Sequence, residues 1–174
     1  MVERLPEFQS EIDEFGWNVD APPQRESDSA KIYLVRHGMS MFNYRAFKAE
    51  KQYTKQSPEF AAIENDIGVI DPELHPIGVA QSEVNAPRLH AMNIKYVIVS
   101  PMQRAMQTAI HMFKGHPNLA NIQFIVEPIT HEILHTMCDM HMDAVQMMMK
   151  YAPGQPACHG VNFDFSKIAG TAQP

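Results

Sequence analysis

The chain has 174 residues, of which 45% are hydrophobic and 20% charged, a globular rather than a disordered balance. Its apolar runs fall far short of the roughly 18–20 residues a membrane helix needs, so no membrane span is expected. The net charge of -6 belongs to residues 1–30, which hold eight acids and two bases. The remainder is formally neutral and has no basic stripe, which argues against nucleic acid as a partner.

Residues 1–30 read as an acidic N-terminal extension and linker, too acidic for a transit peptide and without a secretory apolar core. Leu5, Phe8, Ile12 and Phe15 recur at helical spacing, and Gly16 then Ala21-Pro22-Pro23 end the pattern. Such a face packs on its own domain or on a partner. One domain is expected over residues 31–174. Residues 31–36 (KIYLVR) predict a buried strand that stops at His37-Gly38. Residues 44–70 carry Arg45, Lys48, Lys51 and Lys55, bases that suit an anionic substrate or a solvated helix face. Residues 76–90 are helical in pattern, with Pro87 expected to kink or restart the helix.

Residues 95–99 predict a second strand. Ser100-Pro101 then opens a helix, with Ser100 as N-cap and Pro101 at the first position. Met102, Ala105, Met106, Ala109, Ile110 and Phe113 give it an apolar face, and Gly115 stands where a C-terminal glycine belongs. A third strand is expected over residues 122–126 and a last helix over residues 143–151. The alternation predicts an α/β fold, a mostly parallel sheet flanked by helices. The thirteen methionines read as core filler. Cys138 and Cys158 can form at most one bridge, and reduced thiols in a cytoplasmic protein are the expectation.

Ligands of such sheets bind beyond the carboxyl ends of the strands. Three of those ends carry reactive groups, Arg36-His37, Ser100 to Arg104, and Glu132, which makes them one candidate site. A rival reading starts from His131-Glu132-Ile133-Leu134-His135, a literal HExxH with His141 downstream. On a helix it could hold zinc, with Glu132 as general base. Against it, Pro128 leaves no room for a long helix upstream, and Cys138 stands where a turning glycine is needed.

Tyr33-Leu34-Val35-Arg36-His37-Gly38, with Asn43 six residues beyond the histidine, resembles the signature of the histidine phosphatase (phosphoglycerate mutase-like) superfamily. Residues 71–81 (DPELHPIGVAQ) resemble its second block, with His75 where threonine is usual. Residues 100–109 (SPMQRAMQTA) resemble the block that supplies a phosphate-binding arginine. Glu132, Cys138-Asp139 and residues 161–166 (VNFDFS) resemble the plant and fungal mutase-like branch.

The resemblance implies phosphoryl transfer, by a phosphatase or phosphomutase, through a phosphohistidine on His37. Arg36, Asn43 and Arg104 would bind the phosphoryl oxygens, and a partly buried Glu132 would be general acid. It calls for no metal and no other cofactor, and for a small phosphorylated substrate. It also implies a second histidine well downstream, at the end of a strand lying beside residues 31–36. His159-Gly160 matches superficially, but no strand precedes it. The expected domain is therefore incomplete at its C-terminal side, with an open sheet edge that a protein partner or a second copy would cover. A catalytically weak homologue serving as a binding or structural subunit is the alternative.

Overall fold

A computed structural model describes Glu7, Ser10 and residues 31–169. The leader pattern of residues 5–15 and its linker lie, apart from Glu7 and Ser10, outside the described residues. In chain order the elements are α1 (Met41–Glu50), α2 (Pro58–Glu64), α3 (Pro76–His90), β1 (Tyr96–Val99), α4 (Gln103–Phe113), β2 (Gln123–Val126), α5 (Ala144–Lys150), β3 (Phe163–Asp164) and α6 (Ser166–Ala169). The sheet is parallel throughout, in the order β1-β2-β3, with Val99 opposite Val126 and Phe124 opposite Phe163. This is the α/β architecture that the alternating pattern predicts.

One face of the sheet makes the core. Val99, Phe124, Val126 and Phe163 pack with Met106, Ile110 and Phe113 of α4 and with Met147 and Tyr151 around α5. Phe113 meets Phe124 edge-on at 5.1 Å between ring centroids, a favoured aromatic geometry. Buried Met106, Met112 and Met147 fill gaps in this core, as flexible thioethers do. α3 packs along α4, and α4 ends at Gly115 with φ 74, the left-handed turn a glycine permits. The other face leaves Tyr96 and Ile98 exposed.

Three expectations are corrected. Residues 31–36 form no strand, and Ile32 and Leu34 are 88% and 95% exposed. A strand needs a ladder partner as well as apolar side chains. Among the described residues β1 pairs only with β2, and residues 31–36 find no partner at all. Secondly, Ser100 does not cap α4, which begins at Gln103 after an N-cap at Met102 that gives no side-chain hydrogen bond. The Ser100 hydroxyl is buried without a partner. Finally, α3 runs unbroken through Pro87 to His90, although the proline gives up the N–H that would bond one turn back. The third strand of the sheet is instead Phe163–Asp164, two residues too short to leave a periodic signal.

None of the helices among the described residues is long and apolar enough to cross a membrane. Cys138 and Cys158 are both free and buried.

Candidate active site

The loop after residue 36 is held by its backbone. Gly38 N–H donates to the Thr108 hydroxyl at 3.0 Å, and Met39 N–H donates to Gln81 Oε1 at 2.9 Å. The segment 73–75 lies antiparallel to it, with His75 N–H donating to the Met39 carbonyl at 2.8 Å and Met41 N–H to the Glu73 carbonyl at 2.9 Å. Gly38 and Gly78 then let two backbones touch. A Cβ on Gly38 would stand 2.5 Å from the Gly78 carbonyl oxygen, and one on Gly78 would stand 2.1 Å from that of Met39. Glycine is required at both places by space.

His75, the departure from the threonine usual in the family block, does what threonine would do. Its Nδ1 accepts from Ile77 N–H at 3.2 Å and so caps α3. The ring is buried and stacks on Tyr44 at 4.0 Å. Asn43 lies in the first turn of α1, where its Oδ1 and the Ser40 hydroxyl make a capping box. That leaves the NH2 end of its amide to donate to an anion.

His37 and Arg104 meet directly. His37 Nδ1 lies 2.6 Å from the Gly38 carbonyl, so it carries the proton and Nε2 carries the lone pair. Arg104 Nε–H donates to that Nε2 at 3.2 Å. A protonated Nε2 could not accept this bond, so the contact selects the neutral ring. Burial, followed by the charges of Arg104 and Arg36, lowers the His37 pKa below its ordinary 6.5, against the opposing pull of the Gly38 carbonyl and Glu132. Arg36 itself is exposed and acts here through its charge.

Arg104 is 4% exposed and is gripped on each side. Nη1 donates to the Cys138 carbonyl at 2.6 Å. Nη2 faces Glu132 Oε1 at 3.6 Å and Asp139 Oδ1 at 3.5 Å. The two carboxylates differ. The Glu132 side chain is 52% exposed, so the burial expected of it is absent, whereas that of Asp139 is 14% exposed. Burial pushes the Asp139 carboxyl up, but N–H donors from Thr136 and His135 outweigh it and hold the group below the usual range. Asp139 is therefore held as a negative charge, and Glu132 is the more exposed of the two carboxylates.

A family model described as Histidine phosphatase superfamily (branch 1) matches residues 32–146. The chain belongs to that superfamily. No curated protein matches it. Of the superfamily residues expected from sequence, the structure brings together His37, Arg104 and Glu132. Arg36 adjoins them through its charge, and Asn43 is held by its capping box one helix start away. His159 stands apart, with its ring 6.1 Å from that of His111, roughly two turns along α4 from Arg104.

The zinc reading loses its geometric basis. Residues 131–135 are not helical, so His131 and His135 share no helix face. Among the described residues no group of three or more His, Cys, Asp or Glu is placed to hold a metal ion. The bases after α1 starts are engaged locally. Arg45 pairs with Asp66 at 2.8 Å, Lys55 pairs with Glu50 at 2.9 Å, and Lys51 lies over the Phe47 ring.

Sequence reasoning did not assign Thr108, Gln81 or Asp139 a place in the site. The first two follow Arg104 and Gly78 within the matched blocks, and their amide and hydroxyl chemistry was the available signal. Asp139 could have been found through the capping box it makes with Thr136.

Proposed function

We propose that this domain transfers phosphoryl groups through a phosphohistidine on His37, as a phosphatase or phosphomutase acting on a small phosphorylated substrate. The observation that carries the reading is the Arg104 Nε–H bond to His37 Nε2 at 3.2 Å, with Nδ1 committed to the Gly38 carbonyl. It supports a neutral nucleophile whose lone pair faces a buried guanidinium, the pairing that phosphoryl capture needs.

In the first step the Nε2 lone pair attacks phosphorus, an N–P bond forms and the P–O bond to the leaving alcohol breaks. Arg104 moves from Nε2 to the equatorial oxygens, joined by Arg36 and the Asn43 amide. Glu132 gives its proton to the leaving oxygen. Water, or a second alcohol in a mutase, then attacks phosphorus. Glu132 takes the proton back, and the N–P bond breaks. The place of Glu132 beside Arg104 and open to solvent supports this role, and the lowered pKa of Asp139 argues against that residue as the acid. Cys138-Asp139 and residues 161–166 support the plant and fungal mutase-like branch.

Incubation with an acyl phosphate or phosphoester is expected to leave acid-labile, base-stable phosphate on His37, absent in His37→Ala. A wild-type chain that takes up no label overturns the reading. The edge of β1, unpaired among the described residues, and the exposure of Ile32 and Leu34 favour a second reading, a binding subunit whose edge a protein partner or second copy covers. Concentration-dependent self-association without labelling is the result that would select it.

A further inference from the structure

Asp71 stands outside the reaction just described, yet it is almost wholly buried and has a left-handed φ of 43. Its four polar connections run to two places. Oδ1 accepts from the backbone N–H of Gln103 at 2.7 Å, and its main-chain carbonyl accepts from Gln103 Nε2 at 2.6 Å. Oδ2 accepts from the N–H of Met142 at 2.9 Å, and its own N–H donates to the Met140 carbonyl at 2.9 Å.

Both places adjoin Arg104. Gln103 is the first residue of α4 and Arg104 the second. That helix start has no acid of its own in the first turn and no side-chain bond from its N-cap, so Asp71 supplies the missing acceptor from outside. Met140 and Met142 follow the turn Met137–Asp139, whose Cys138 carbonyl and Asp139 carboxylate are the groups the guanidinium holds.

We propose that Asp71 is a positioning residue for Arg104: one carboxylate joins the helix that carries the arginine to the turn that grips its guanidinium. The inference rests on the phosphate-binding reading of Arg104 given above. An arginine already held by its helix and through Nη1 and Nη2 has only its Nε–H to redirect from His37, and so loses little freedom when it takes up a phosphoryl group. With the joint opened, the helix start and the turn would shift independently, and the fork would no longer be set for the anion.

Asp71→Asn isolates the effect. Asparagine tolerates the positive φ and keeps the size, but its NH2 faces one of the two N–H donors and accepts nothing there. Asp71→Gly, which suits the same φ and gives up both acceptors, is the second variant. Asp143→Asn is the control, because Asp143, next to Met142, caps α5 by accepting from Val145 and Gln146 N–H and bonds neither Asp71 nor Arg104. Three quantities are read on the full chain: affinity for inorganic phosphate, the donor concentration that half-saturates His37 labelling, and the nitrogen-15 NMR signal of Arg104 Nε–H.

Both Asp71 variants are expected to bind phosphate about tenfold more weakly, the size of one lost charge-assisted hydrogen bond. They should need correspondingly more donor with the final extent of labelling unchanged, and their Nε–H signal should broaden by exchange with water. Asp143→Asn should lower the melting temperature and leave all three at wild-type values. If the Asp71 variants match wild type, or if Asp143→Asn weakens phosphate equally, the positioning role is overturned while the phosphohistidine reading stands. A wild-type chain that neither binds phosphate nor labels overturns both.

Discussion

The first turn of α4 and the segment leading into His37 supply facing halves of one site, yet they are held by opposite means. Arg104 is buried and bonded through both ends of its guanidinium, on a helix whose start is capped by a distant carboxylate. Residues 31–36 are richer in apolar and β-branched side chains than that helix start, and they are exposed, without a ladder partner among the described residues. The contrast teaches that apolar content does not by itself recruit a strand into a sheet. Backbone partners do, because each unpaired N–H and carbonyl must otherwise keep its water. His37 is ordered because the residues just after it, not those before it, are bonded to α3, α4 and the segment 73–75.

The largest expected effect attacks the well-held half. Arg104→Ala removes the charge opposite His37 Nε2 and should slow His37 labelling on the order of 10²–10³-fold, the loss seen when one preorganised oxyanion donor is deleted. Rapid-quench labelling checks it, and a loss of less than tenfold would mean that Arg36 or Asn43 carries the anion. Next comes the contact that holds the other half. Gly78→Ala pushes a methyl into the Met39 carbonyl and should cost about 1–3 kcal/mol in urea unfolding. Unchanged stability would show that α3 and the His37 loop are free to separate.

The pH dependence is smaller and has a defined sign. Because burial and the two arginines depress the His37 pKa, labelling should hold its rate down through the ordinary histidine range and fall only below 6.5. The folded pKa lies below the unfolded one, so the neutral ring contributes stability above pH 6.5 that is lost as pH falls through the folded value. Urea unfolding of wild type and His37→Ala at several pH values measures the difference; parallel curves would remove the shift. Smallest of all, Leu34→Lys should change stability by no more than about 0.5 kcal/mol, as for an ordinary surface position. A larger loss would show that residues 31–36 are covered in solution.

What could be read from sequence follows the range of the interactions. β1, β2 and α5 were legible because their patterns are local, and their bounds moved by only a residue; the apolar face of α4 was legible too, although its start lies two residues beyond Pro101. His37, Arg104 and Glu132 were legible because each closes or follows a strand-like stretch in a recognisable block. The cap on α4 was not, since Asp71 is 32 residues away from the N–H it accepts. Ser100, next to the helix, looked like the cap for want of any signal of distance. Residues 31–36 misled for a related reason: the missing ladder partner is a property of the sheet, which no window of six residues contains. The burial expected of Glu132 failed likewise, because exposure depends on what packs over residues 131–136.

The meeting of Gly38 and Gly78 has a mechanical meaning. With carbonyl oxygens filling the room where side chains would lie, no compressible layer separates α3 from the loop after His37. A shift of α3 therefore meets the loop that carries His37 by direct backbone contact. The position of His37 is thus tied to the seating of α3 on α4.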